Sequence, residues 1–291
     1  MISCSLTQLQ SLNLDIFEED CTAFVIDKYD IGSFLACEIP SGMIYEIPEI
    51  DEKFIEENFE GGNFVSGETE ITFPGGAFID KSDQTISSAG RLGGLVLTKK
   101  KNIPTDRRNL AAVTGDKTVL VVRVIATDGS TTANMAQLSD SVFGTDGDTV
   151  NLKSQYSDCS REQLNFIPVE RSGITNGVTT VNVDVSTSEG DRIMNNAITS
   201  AINTKFGVSH PTELTNHIMH CLPPNTMSGI AYAHVNGWRS VYNDCWCTYM
   251  SAQLHELGHN LNLAHSNENG TYKDQSCMVS VLITKSNNIF F

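Results

Sequence analysis

The stretch HELGHNLNLAH at residues 255–265 limits what this chain can build more than any other. His255 and His259 stand four residues apart. On a helix that spacing stacks two side chains on one face, one turn apart. The flanking sequence agrees, because Met250, Leu254, Leu257 and Leu261 recur as a single apolar stripe over residues 248–261. His265 cannot share the face of the first two, so the chain must leave the helix and turn back. The turn falls on Asn262. Asparagine is the non-glycine residue that best tolerates left-handed backbone, at a cost of about 1 kcal/mol.

Three imidazoles brought together in this way are expected to bind one zinc ion. Structural zinc is usually closed by four protein ligands, often thiolates, whereas three histidines leave a position for water. The expected metal ligands are therefore His255, His259 and His265, with Zn2+ as the cofactor. Glu256 follows the first histidine directly and reaches water on the ion instead of the ion itself. It is the expected catalytic residue, taking a proton from that water and passing it to a leaving amine. Ordinary helix histidines are the competing reading, and the third histidine at the right distance counts against it.

The rest of the chain describes the frame. At 291 residues, 40% hydrophobic and 19% charged, it can bury a sizeable core. A net charge of −16 disfavours nucleic acid and anionic membranes as partners. No apolar run reaches 18 residues, so no transmembrane segment is expected. The first twenty residues lack the basic start and apolar stretch of a secretory signal. Yet eight cysteines and the sequon Asn269-Gly270-Thr271 lean towards an oxidising, extracellular or secretory setting. An incomplete N-terminus reconciles the two.

Short strand-like runs between turn residues fill residues 21–98: CTAFVID, MIYEI, NFVSG, ETEITF, GGAFID and GGLVLT. They predict a small β-rich domain after an N-terminal segment, residues 1–20. A basic stretch at 99–117 suits an exposed linker. From residue 118 helices and strands alternate, which predicts an α/β (α+β) layered domain to residue 291. TVLVVRVIA (118–126) reads as an inner strand, QLNFIPVE and HIMHCL as strands, and GVTTVNVDVS (177–186) as a half-buried one. GIAYAHVNGWRSVYN reads as one or two edge-like strands broken at Asn236-Gly237. Ser130 or Thr131 is placed to cap a helix reaching about Val142. Ser188 is placed to cap another, with Ile193, Ala197 and Ile202 inward and Gly207 as its stop. Asp146-Gly147-Asp148 is a fragment of a calcium loop or, more simply, a turn.

Several stretches together, VLVVRV, LSDSVFG, SQYSDCSREQLNF, CLPP, GIAYAHVNGWRSVYND, HELGHNLNLAHS and YKDQSCM, carry a resemblance. The chain resembles the metzincin metallopeptidases, most closely the gametolysin-like group, peptidase family M11, over roughly residues 118–278. The resemblance implies a mixed twisted sheet with an active-site helix and hydrolysis of peptide bonds. Its substrates would be proteins or glycoproteins of the extracellular matrix or cell wall, and the enzyme a monomer. It makes Met278 the methionine turn beneath the three imidazoles. It also makes the N-terminal region a prodomain, in which a cysteine can take the metal's open position. Cys37 is the candidate there, with Cys4 and Cys21 equally placed and a disulfide or buried thiol as the alternative. Cys245-Trp246-Cys247 has the wrong spacing for a redox pair and suggests separate disulfides, with Cys221 and Cys277 as partners.

Only thirteen residues follow Met278, VSVLITKSNNIFF, and they match nothing in the family. The expectation is a chain truncated just after the methionine turn, with the C-terminal subdomain largely missing. A second function therefore stands beside the first: a zinc-binding but catalytically weak homologue acting as a binding module.

Overall fold

The computed structural model describes residues 14–17, 20–28, 32–51, 64–73, 77–87, 96–99, 113–263 and 265. Met278, the tail after it, Asn269, Cys4, Cys277 and most of the basic linker lie outside these residues.

Among the described residues before 100 are eight strands: β1 (Leu14–Phe17), β2 (Cys21–Lys28), β3 (Gly32–Glu38), β4 (Ile44–Asp51), β5 (Thr69–Thr72), β6 (Ala77–Asp80), β7 (Thr85–Ser87) and β8 (Val96–Lys99). Of the stretch NFVSG, the described residues 64–67 are loop and turn and not strand. After residue 113 strands and helices alternate. β9 (Gly115–Ile125), α1 (Met135–Phe143), α2 (Leu152–Cys159), β10 (Leu164–Pro168) and β11 (Val178–Asn182) lead to the long α3 (Asp191–Phe206). β12 (His217–Leu222), β13 (Ala231–His234), β14 (Arg239–Asn243) and α4 (Met250–Asn260) complete the order.

β9 is the inner strand that its apolar run predicts. β10 and β11 pair in parallel with its two halves on one side, and β12 pairs in parallel on the other. β14 follows β12 in parallel, and β13 returns antiparallel to β14. Both faces of this sheet are covered, which explains why β9 does not alternate in polarity. Val119 and Val121 face a core built with Leu138 and Val142 of α1 and Leu254, Leu257 and Leu261 around α4. Leu120, Val122 and Val124 face the opposite core, with Met194, Ile198 and Ile202 of α3. A buried leucine such as Leu257 contributes about 1.5–3 kcal/mol through area removed from water.

Four local expectations are corrected. The cap of α1 is Asn134, which forms a reciprocal capping box with Gln137. Thr131 instead turns its hydroxyl inward, to Val124 N at 3.0 Å and Cys221 O at 2.5 Å. Ahead of α3, Ser186 caps a short 3₁₀ turn at Thr187–Glu189, and α3 itself starts after Gly190 with no side-chain cap. The inward stripe of α3 runs through Met194, Ile198 and Ile202, one position on from the predicted Ile193 and Ala197. Gly207 does stop the helix, at φ +64°. Finally, β13 and β14 are not edge strands. β2 pairs antiparallel with β13, so one sheet continues from the N-terminal strands into the α/β layers. That pairing joins residues some two hundred positions apart, and no local pattern encodes it.

Hydrogen bonds and ion pairs hold the junction. Lys28 reaches Glu46 at 2.6 Å and Asp191 at 3.3 Å, while Arg192 reaches Glu46 at 3.0 Å. Asn196 of α3 accepts from Ile44 N at 2.9 Å and donates to Ile44 O at 2.8 Å. Ile26, Ala36 and Ile44 belong to the same core as α3. The disulfide Cys21–Cys37 staples β2 to β3, and Cys221–Cys247 ties the end of β12 to the segment entering α4.

Candidate metal centre

α4 carries two of the predicted ligands where the periodicity puts them. Its apolar side, Leu254 and Leu257, is buried against the sheet. Tyr156 of α2 donates to Leu254 O at 2.8 Å and fixes the helix from behind. The helix ends in a pair of bonds, Asn262 N to His259 O at 2.9 Å and Leu263 N to Gly258 O at 3.0 Å. This is a Schellman closure with Asn262 in the left-handed position at φ +69°. The reversal brings His265 back over the helix.

Three Nε2 atoms then converge. His259 lies 3.1 Å from His255 and 3.0 Å from His265 through these atoms. Two nitrogens bound at 2.0–2.1 Å to one tetrahedral ion lie roughly 3.3 Å apart. The cluster is the one group among the described residues able to hold a metal ion. The donor chemistry fits. His259 Nδ1 sits 2.8 Å from Leu263 O, which places the proton on Nδ1 and leaves a lone pair on Nε2. Burial, with the other two rings, pushes His255 down to about 3. Burial also lowers His259. Neutral imidazoles are the metal-binding form.

Glu256 is 4% exposed, and its Oε2 has no hydrogen-bond partner among the described residues. Burial raises its carboxyl well above the usual range, and the charge of Asp27 adds to the effect. A cation on the histidines acts in the opposite direction. Such an orphaned acceptor, next in sequence to one of three converging imidazoles, suits a site completed by an ion and its water.

A family model described as gametolysin peptidase M11 matches residues 117–282, more than half of the 291-residue chain. The chain belongs to the gametolysin peptidases, family M11. It is a metallopeptidase, and its matched segment contains the whole histidine cluster. Comparison with curated proteins and with solved structures found no match.

Other predicted residues fall as follows in this M11 peptidase. Cys37 and Cys21 are joined to each other, so neither offers a thiol to the site. Cys247 pairs with Cys221, while Cys245 is exposed outside any disulfide of the described residues. Asp146-Gly147-Asp148 is a turn, with both aspartate amides donating to Asp140 Oδ1. Among the described residues no helix is long and apolar enough to cross a membrane.

Three contributors escaped sequence reasoning. Asn260 donates to His234 O at 2.9 Å and Arg239 O at 3.0 Å, binding the end of α4 to the β13–β14 hairpin. Asn236 N donates to His259 O at 2.8 Å from the same hairpin. Asp27 of β2 places Oδ2 at 3.3 Å from His265 Nε2 and 3.9 Å from His259 Nε2. The only signal for Asp27 was a carboxylate following the apolar run AFVI in the strand CTAFVIDK.

Proposed function

We propose that this chain is a zinc endopeptidase of the metzincin type. His255, His259 and His265 hold the ion. A bound zinc supplies Lewis acidity, polarising a carbonyl oxygen and acidifying water. Glu256 supplies the base: its buried carboxylate accepts a proton from the attacking water and returns it to the leaving amine nitrogen. The dry wall of Leu254 and Leu257 behind the helix keeps the ligands in one rotamer. The family resemblance assigns Met278, outside the described residues, to the methionine turn, and residues 21–98 act as a prodomain joined by the basic linker. The substrates are extracellular matrix or cell-wall glycoproteins, and the two disulfides suit that oxidising setting.

One observation carries this reading: three imidazole nitrogens at 3.0–3.1 Å spacing, with an orphaned glutamate carboxylate next in sequence. The test is Glu256→Gln. Compared with wild type after both are cut at the basic linker, the variant is expected to keep one equivalent of zinc and lose about 10²- to 10⁴-fold in hydrolysis of a quenched peptide library. Cleavage at the wild-type rate would remove Glu256 from the mechanism. The second reading, metal binding without efficient hydrolysis, draws support from Asp27, which stands against His265 in the intact chain. Stoichiometric zinc with no chelator-sensitive cleavage is its signature.

A further inference from the structure

We propose that Asp27 is the fourth metal ligand of the intact chain, and that β2 thereby holds the site closed. The inference rests on the three-histidine metal reading.

Strand geometry aims the carboxylate. β2 pairs with β13 in the register Ile26 with His234, Asp27 with Ala233 and Lys28 with Tyr232. Successive side chains point to opposite faces. Ile26 enters the core beneath α3, and Lys28 reaches Asp191 at the start of α3. Asp27 must then point to the other face, where α4 carries the histidines. A slip of one residue would exchange the two faces and put Lys28 at the imidazoles.

The register is pinned on both sides of Asp27. Lys28 is held by Glu46 and Asp191. Towards the other end, Val235 N donates to Val25 O at 2.9 Å. Ser66 Oγ donates to Val235 O at 2.5 Å and accepts from Val25 N at 3.0 Å. Asn236 Nδ2 donates to Ser66 O at 2.8 Å. The same Asn236 gives its backbone N–H to His259 O, so the lock on β2 and the position of a ligand share one turn.

The contact suits a cation shared by these groups. His259 carries its proton on Nδ1, so its Nε2 lone pair faces Oδ2 of Asp27 across 3.9 Å. Lone pair against carboxylate is repulsive unless a positive charge lies between them. The 3.3 Å separation of Oδ2 from His265 Nε2 is the spacing of two ligands on one tetrahedral ion. A carboxylate is an ordinary zinc ligand, and in the fourth position it excludes the water that catalysis needs. β2 also covers the free backbone edge of β13, the edge to which an extended peptide could otherwise add.

The experiment compares the full chain with Asp27→Asn and Asp27→Ala, each loaded with one equivalent of Co2+. Removing the ligand is expected to change the visible cobalt spectrum and to speed release to excess chelator by at least the roughly 10-fold that even an outer-shell partner commands. Millimolar azide is expected to perturb the cobalt spectrum of the variants and leave that of the wild-type chain unchanged. The wild-type azide result needs no variant to fold. One equivalent of cobalt in every protein, with superimposable spectra, equal release rates and equal azide sensitivity, overturns the role of Asp27 and spares the histidine site. Failure of the wild-type chain to bind cobalt overturns the histidine site and the role of Asp27 together.

Discussion

Two sets of three histidines lie inside this molecule, and they behave differently. His255, His259 and His265 meet at one point. His217, His220 and His234 are all buried, where His255 is only half-buried, yet they do not converge. His217 stacks edge-on to Phe166, His220 meets Asn195 Oδ1 at 2.7 Å, and His234 lies 3.3 Å from Arg239. The secondary element makes the difference. His255 and His259 are four apart on a helix and stack. His217 and His220 are three apart on a strand and point to opposite faces of the sheet. Burial lowers the proton affinity of the histidines in both sets for which a shift is resolved. Convergence, not burial, separates a metal site from core packing.

That contrast can be broken by exchanging which set is perturbed. His259→Ala should have the largest effect. It removes a ligand, so zinc affinity is expected to fall by more than the roughly 100-fold typical of an outer-shell partner. Metal analysis after gel filtration checks it, and retained stoichiometric zinc would dissolve the contrast.

Acid should strike the second set. Burial, with the charge of Lys117 adding, pushes His217 down to about 4. The unfolded chain, near 6.5, takes up the proton first, so the stability contributed by neutral His217 is present above pH 6.5 and lost as pH falls through 4. At pH 4.5 this one group is expected to cost on the order of 2–3 kcal/mol relative to pH 7. Urea midpoints of wild type and His217→Asn at the two pH values test it, and the variant should lose less.

Asn195→Ala is next. It leaves His220 Nδ1 and Tyr232 without the amide they share, at a cost of about 1–2 kcal/mol, while bound zinc stays unchanged. Thermal melts and metal content measured together separate stability from site chemistry. The smallest effect belongs to Asn262. Asn262→Gly should stabilise by at most about 1 kcal/mol, because φ +69° is free for glycine. Asn262→Ala should lose a similar amount. Equal melting of all three proteins would mean that the turn carries no such cost.

Much of the first site was legible. The i, i+4 histidines, the apolar stripe of α4 and the left-handed turn at Asn262 are local properties, and local geometry decided them. β9 as an inner strand was legible for a similar reason, since apolar residues on both faces require cover on both faces. The caps were less so. Thr131 and Ser188 are good capping residues by type, but Thr131 found a buried partner in Cys221 O and the chain at 187–189 closed a 3₁₀ turn first. Residue type permits a cap, and competing hydrogen bonds choose it.

The second set was not read from sequence at all, and neither was Asp27. HIMHCL and AYAH show histidines without saying which face each one takes or what waits there. Asp27 sits in a strand whose pairing partner is two hundred residues away, so its destination depended on strand order and register. From the sequence alone came the histidine trio, the glutamate beside it and the helix that carries His255, Glu256 and His259, because 3.6 residues per turn is a property of the backbone itself. The tertiary structure decided what stands opposite. Pairing of β2 with β13 is chosen by cores, ion pairs and a serine lock from distant segments, and only their sum places a carboxylate against the histidines.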